Sequence, residues 1–365
     1  MGRAVAGLAP SRRGNPGMSL PPVVFRCTAN ARIGMGHLAR CREMARELGA
    51  RGQACHIAGL PDSLRQPGDT MLFASWTPLP EDGPATEDAA RVVALCRTEG
   101  TRYLVLDDYR GGDIAYQQVL ADAGLRWLQQ FDSSGEGDFL APILVNASPY
   151  ERPEQYRPRL RNPETRLLFG PRYAVLRPEF ARIAVREDGR PVRRILAAFG
   201  GGDDRGALDL VLAALGDLPD VALRLVSGRG NPRNAELAAR LAGVDPARIE
   251  LLVDPPAMAE RIAECDLGII AGGTMSYELA HCGLPMLLVA LAPNQRRSCL
   301  GWQELTGTPF LGQIGDVMPD RLRAEVHRFV TGPELRRQVA ARGRAEVDCK
   351  GAARLCDALM ESDKA

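Results

Sequence analysis

Two kinds of hydrophobic spacing alternate along the chain. Short continuous apolar runs, such as VVFRC at 23–27, read as buried strands. Between them, apolar residues recur at three- and four-residue steps, the period of a helix with one buried face. Leu38, Cys41, Met44, Ala45 and Leu48 keep that step. A helix therefore opens at His37, directly after the turn Gly34-Met35-Gly36, and Gly49 is placed to end it. Strand-like runs return at 54–58, 103–109, 126–132 and 142–146, with helical spacing over about 86–98 and 116–123 and a polar, Pro-rich stretch at 61–85. Residues 150–192 are rich in Arg, Pro and Tyr and weakly periodic, as a connection between domains would be. The alternation then restarts. Strands are expected at 193–199, 222–228, 249–253, 267–270 and 286–289, a helix at 207–215, and helical sequence from about 320 to 360.

Strands separated by helices predict a parallel sheet covered on both faces. The chain thus reads as an α/β protein with two doubly wound, Rossmann-like domains facing each other over a cleft. The expected limits are a disordered leader at 1–20, a first domain at 21–165, a linker at 166–192, a second domain at 193–345 and a terminal helix at 346–365.

Composition narrows the functional classes. Forty-six basic residues against 45 acidic ones argue against a binder of nucleic acid or anionic membrane that relies on bulk charge. No apolar run approaches the roughly twenty residues that cross a bilayer. The first 20 residues carry Arg3, Arg12 and Arg13 but no hydrophobic stretch of signal-peptide length, and Met18 is an alternative start. Nine scattered cysteines without a CxxC pair read as small core residues in a reducing cytoplasm. Of the four histidines, none has zinc-ligand spacing with a cysteine; His56, His281 and His327 read as structural or ordinary helix residues.

The candidate chemistry lies at strand ends, where open parallel sheets bind ligands. Gly34 to His37, Asp107 to Tyr109, Asp132 and Asn146 all fall there. A strand, a glycine turn and a helix place backbone N–H groups and a positive dipole end beside a bound anion, with His37 available to the anion or a nearby water. The plainer alternative is a histidine that only caps a helix. Asp107 and Asp108 form either a paired carboxylate or a pair of which one caps a helix. In the second half, Gly200-Gly201-Gly202-Asp203 follows a strand, and its bare backbone suits close approach by a phosphate, although it matches neither common phosphate-loop pattern. Gly272-Gly273-Thr274 ends another strand. Thr274 can cap the next helix, Gly283 stops it, and Glu278 lies one turn in, where a carboxylate could accept both hydroxyls of a ribose. Asn294-Gln295 offer amide donors and acceptors suited to sugar hydroxyl and N-acetyl groups.

Taken together, these segments resemble a known family. Val24-Phe25-Arg26, Ile33-Gly34-Met35-Gly36-His37 with Arg40-Cys41, and Leu106-Asp107-Asp108-Tyr109 resemble the signatures of the UDP-2,4-diacetamido-2,4,6-trideoxy-β-L-altropyranose hydrolases of pseudaminic acid biosynthesis. So do the block from Phe169 to Phe180 (FGPRYAVLRPEF), Phe199 to Asp203, Gly272 to Glu278, and Asn294-Gln295. The likeness covers about residues 23–300, and the second half is more distantly similar to GT-B glycosyltransferases. Two departures concern substrate choice: Gly202 stands where a hydroxyl residue is usual, and Tyr277 where Trp is frequent.

The resemblance implies a GT-B fold with UDP on the second domain, no cofactor or metal, and no nucleic-acid or membrane partner. His37 matches the proposed base, and Tyr109 and Asn294 are expected near the sugar or the attacking water. Glu278 matches the ribose-binding glutamate. Arg26, Asn30, Gly34, Gly36, Asp108, Gly200, Gly201, Gly273, Thr274 and Gln295 complete the expected substrate contacts. The implied reaction is inverting hydrolysis of a UDP-sugar on the route to a nonulosonic acid that decorates surface structures such as flagella. An imidazole titrates near neutral pH and suits the role of base without special tuning. A glycosyltransferase using a UDP-amino sugar is the competing reading, and a non-catalytic nucleotide-sugar binder a third.

Overall fold

The structure is a computed structural model that describes residues 20–30, 34–131, 137–183, 190–218 and 220–361. Residues 1–19 of the leader, Ile33 and Asp132 lie outside the described residues.

The first sheet contains β1 (Val23–Cys27), β2 (Cys55–Ala58), β3 (Ser75–Thr77), β4 (Tyr103–Asp107), β5 (Arg126–Gln130), β6 (Ile143–Asn146) and β7 (Arg166–Phe169). Its order is β3-β2-β1-β4-β5-β6-β7, all parallel. Helices α1 (Gly36–Ala50), α2 (Ala85–Thr98) and α3 (Ile114–Asp122) connect the first five strands, and a single turn, α4 (Pro153–Tyr156), precedes β7. Strand alternation divides the core. Val23, Phe25 and Val105 pack with Leu38, Met44 and Leu48 of α1 on one face. Val24, Leu104 and Leu106 pack with Val92 of α2 and Tyr116 of α3 on the other.

The second sheet contains β8 (Arg194–Ala198), β9 (Ala222–Ser227), β10 (Ile249–Val253), β11 (Leu267–Ala271), β12 (Met286–Ala290) and β13 (Phe310–Gln313), in the order β10-β9-β8-β11-β12-β13 and again parallel. Its helices are α5 (Ala207–Leu215), α6 (Asn234–Leu241), α7 (Met258–Ala263), α8 (Met275–Cys282), α9 (Gln295–Thr306), α10 (Pro319–Thr331) and α11 (Pro333–Glu346). A final helix, α12 (Gly351–Met360), completes the chain's described elements.

Several expected boundaries change. The Pro-rich stretch contains β3, too short to show a period. The connection contains β7, so the first sheet runs to Phe169 rather than ending at 165. Helix α1 passes Gly49 and ends at Ala50, and Gly52 takes the left-handed backbone, with φ of +84°. The terminal helix does not stand apart. Helix α12 crosses back to α1, and its Leu355, Cys356 and Leu359, all fully buried, join the first domain's core.

The carboxyl end of the first sheet touches the second domain directly. Tyr277 of α8 donates its hydroxyl to the Ala147 carbonyl just beyond β6, at 3.1 Å. Arg297 of α9 pairs with the buried Glu151 at 3.0 Å. Gly301 lies so close to the Pro149–Tyr150 backbone that a Cβ there would stand 2.5 Å from it.

Burying one leucine contributes about 1.5–3 kcal/mol, and truncation leaves a cavity as well. Leu355→Ala should therefore lower stability by about 2–5 kcal/mol. Urea unfolding followed by the fluorescence of Trp76 and Trp127 should show the first domain losing its cooperative transition earlier than the wild type.

Candidate active site

The strand order of each sheet reverses direction once, between β1 and β4 in the first and between β8 and β11 in the second. Loops leaving adjacent strands there diverge to opposite faces and open a crevice at the carboxyl ends. Gly34 to His37 and Asp107 to Tyr109 leave the first pair; Gly200 to Gly202 and Gly272 to Thr274 leave the second.

In the first crevice, Asp107 ends β4 opposite Cys27 and faces α1, as Val105 does two residues earlier. Its carboxylate receives three groups from α1. His37 Nδ1 lies 2.8 Å from Oδ1, while Arg40 contributes Nη2 to Oδ1 at 2.7 Å and Nε to Oδ2 at 3.0 Å. Burial drives the Asp107 carboxyl toward its neutral form. Arg40 and His37 outweigh it, so the group sits below the usual carboxylate range. A ring that donates Nδ1–H to a carboxylate is fixed in the tautomer whose Nε2 can accept a proton. Tyr109 tilts against this ring, with centroids 5.1 Å apart, and is itself 56% exposed. His37, by contrast, is 7% exposed. Among the described residues no side chain caps α1 at Gly36, and Gly34, at φ of +90°, donates its N–H to the Asn30 carbonyl at 2.7 Å.

The neighbouring acid has another task. Asp108 points to the opposite face, where its Oδ1 caps the turn at Arg110 N and its Oδ2 pairs with Arg26 Nη1 at 2.9 Å. Arg26 is 2% exposed and also binds Asp88 of α2 through Nε and Nη2, at 2.9 and 3.0 Å. Arg110 and the Tyr116 hydroxyl complete the shell of Asp88, each at 3.0 Å. Burial opposes ionisation of Asp88, yet Arg26 with Tyr116 and Arg110 holds it below the usual range. Arg26 and Asp108, expected on substrate, are therefore enclosed by protein partners, and the first crevice stands on their ion network. Asn146 likewise turns inward, its Oδ1 accepting from Ser148 N.

In the second crevice the two glycine turns differ. Asp204, 3% exposed, accepts from Gly206 N at 3.1 Å and Leu208 N at 3.0 Å, so the start of α5 is filled by its own carboxylate. Gly200, at φ of +100°, and Gly201 precede it on an open surface, where an added Cβ would meet nothing within 4 Å. Among the described residues no side chain caps α8. Thr274, expected to do so, has helical backbone and makes no capping bond; Ser276 instead donates its hydroxyl to Gly273 O and accepts from Trp302. The amino end of α8 is thus the better anion cradle of the two. Glu278, 7% exposed, lies one turn along it, with Oε1 3.2 Å from Arg177 Nη2. Asn294, exposed, precedes α9, while the Gln295 side chain folds back to accept from Leu291 N at 2.9 Å.

Asp107 is the residue that sequence reasoning left among alternatives and that the geometry places at the centre. The signal was the period-two alternation carried one residue past the apolar run. His56 and His281 hold Ser75 and Glu99, and the carbonyls of Phe180 and Val347, in structural contacts. All nine cysteines are free thiols.

No protein-family profile matches the chain. It is 29% identical over 204 residues to the spore coat polysaccharide biosynthesis protein SpsG of Bacillus subtilis (strain 168), a match covering 54% of this chain and 59% of that protein. In three dimensions it is similar to MurG of Acinetobacter baumannii, with a TM-score of 0.67 at 16% identity, covering 92% of this chain and 98% of the other. It is also similar to a UDP-N-acetylglucosamine 2-epimerase, with a TM-score of 0.58 at 12% identity over 93% and 95%.

Removing the counterion shared by Asp88 and Asp108 should be costly. Arg26→Met is expected to lose about 3–5 kcal/mol at pH 7, because two buried carboxylates lose their common partner. The stabilising effect of the depressed Asp88 carboxylate is complete above its unfolded pKa of about 4 and is lost as pH falls through the folded value. Urea titrations from pH 7 to about pH 2 should show the gap between wild type and variant holding down to about pH 4 and narrowing below it.

The two crevices, the order of both sheets and these structural likenesses establish a GT-B-like fold of two Rossmann-like domains.

Proposed function

We propose that this protein is a UDP-sugar hydrolase that releases a 2,4-diacetamido-2,4,6-trideoxy sugar of the altrose type from UDP. The observation that carries the reading is the Asp107–His37 pair in the first crevice, at the sheet end that touches the second domain. A structural histidine would not need a buried, doubly braced carboxylate to fix its tautomer. The polysaccharide-biosynthesis role in the name of SpsG and the UDP-sugar in the name of the epimerase support a sugar-nucleotide substrate.

In this mechanism a water oxygen attacks the anomeric carbon from the side opposite the diphosphate. The water's proton passes to His37 Nε2 and the anomeric C–O bond breaks, with its electron pair leaving on UDP. Asp107 stabilises the imidazolium as it forms. The uncapped start of α8, with Gly273 and Thr274, takes up the charge on the diphosphate, and Gly200 and Gly201 flank it. Glu278 accepts from the ribose hydroxyls. Tyr109 and Asn294, both exposed, border the sugar.

Purified protein given the UDP-diacetamido sugar alone should release UDP and free sugar in equal amounts. Release that waits for an added acceptor would instead identify a glycosyltransferase, the activity named for other proteins of this fold. His37→Asn should leave UDP binding intact and slow turnover by a factor on the order of 10² or more. Asp107→Asn should slow it by a comparable factor, since the amide can reverse the ring's tautomer. Near-normal turnover in His37→Asn would remove that residue from the role of base.

A further inference from the structure

Glu278 is nine-tenths buried at a place where a ligand is expected, and its two oxygens differ. Oε1 meets Arg177 Nη2 at 3.2 Å. Oε2 has no hydrogen-bond partner among the described residues and is not among the fully occluded polar atoms. One oxygen is thus anchored by the protein and the other left for a donor from outside.

The anchor comes from neither sheet. Arg177 belongs to the connection between β7 and β8. Its guanidinium lies over the Phe180 ring at 5.2 Å, Phe180 is itself fully buried, and the Phe180 carbonyl lies 3.2 Å from Nε2 of His281 on α8. Glu179 pairs with the same guanidinium at 2.9 Å. Two carboxylates therefore pair with one cation, and the deeper of them is Glu278.

We propose that Arg177 is a positioning residue that makes Glu278 selective for ribonucleotides over 2′-deoxyribonucleotides. This deepens the reading of Glu278 as the ribose-binding carboxylate and rests on it. Two hydroxyl donors reward a charged, correctly rotated acceptor far more than a neutral or freely turning one. Burial raises the Glu278 carboxyl above its usual range, and Arg177 limits the rise. The bond to Oε1 also fixes the rotation of the carboxylate plane and so the direction of Oε2. Without Arg177 the group loses charge and aim together, and a missing 2′-hydroxyl would then cost little.

Calorimetric titration with UDP and with 2′-deoxy-UDP measures the preference as a ratio of Kd values, which a general loss of affinity does not move. Wild type should favour UDP by a factor on the order of 10–100. Arg177→Met should reduce the ratio to about threefold or less, while Arg177→Lys, which restores a cation, should recover most of it. An unchanged ratio in Arg177→Met overturns the role given to Arg177. If the Met variant does not fold, an unchanged ratio in Arg177→Gln does so instead. Glu278→Gln separates the two layers: if it keeps the wild-type ratio, the ribose reading of Glu278 itself is wrong. A wild type without preference defeats both.

Discussion

The pleat of two central strands governs the first domain's chemistry. Side chains on β1 and β4 alternate between faces, and the alternation continues through Asp107 and Asp108 at the end of β4. One carboxylate therefore turns toward α1 and meets His37 and Arg40; its neighbour turns toward α2 and α3 and meets Arg26. Two identical groups, adjacent in sequence, become a partner for an imidazole and a strut in an ion network. A shift of one residue in register would exchange them.

Both crevices hold charge where solvent is scarce, and each resolves the cost locally. Asp88, Asp107 and Asp108 are all 7% exposed or less, yet each has a cation and further donors at hydrogen-bonding distance. Breaking such a set leaves a buried charge unpaired, a larger penalty than the set's net contribution to folding. The second domain economises differently. Asp204 fills the start of α5 with a side chain of the protein itself, whereas among the described residues no side chain caps the start of α8. Two turns of similar glycine content thus acquire unlike capacities for an anion.

Much of this was legible in the order of residues. Continuous apolar runs located nearly all of the central strands, because strands buried on both faces show no polar alternation. The three glycine turns and the Asp107–Tyr109 segment fell at strand ends, and parallel topology then brought them to the crevices. What escaped was set by partners distant in sequence. Strands β3 and β7, of three and four residues, lie toward the sheet edges and carry too few residues for a period. Arg26 reads as a ligand contact from its motif, but Asp88, sixty-two positions away, claims its guanidinium. Thr274 has the identity of a cap but not the extended backbone that capping requires.

Helix α12 bears on the order of events at the ribosome. The pocket between α1 and the first sheet is closed by Leu355 and Leu359, more than 300 positions after Val23 in the same core. Until that late segment emerges, a nascent first lobe displays an apolar groove to chaperones and to other chains. The second lobe, whose described core draws on residues 176–347, can close before the lobe translated ahead of it.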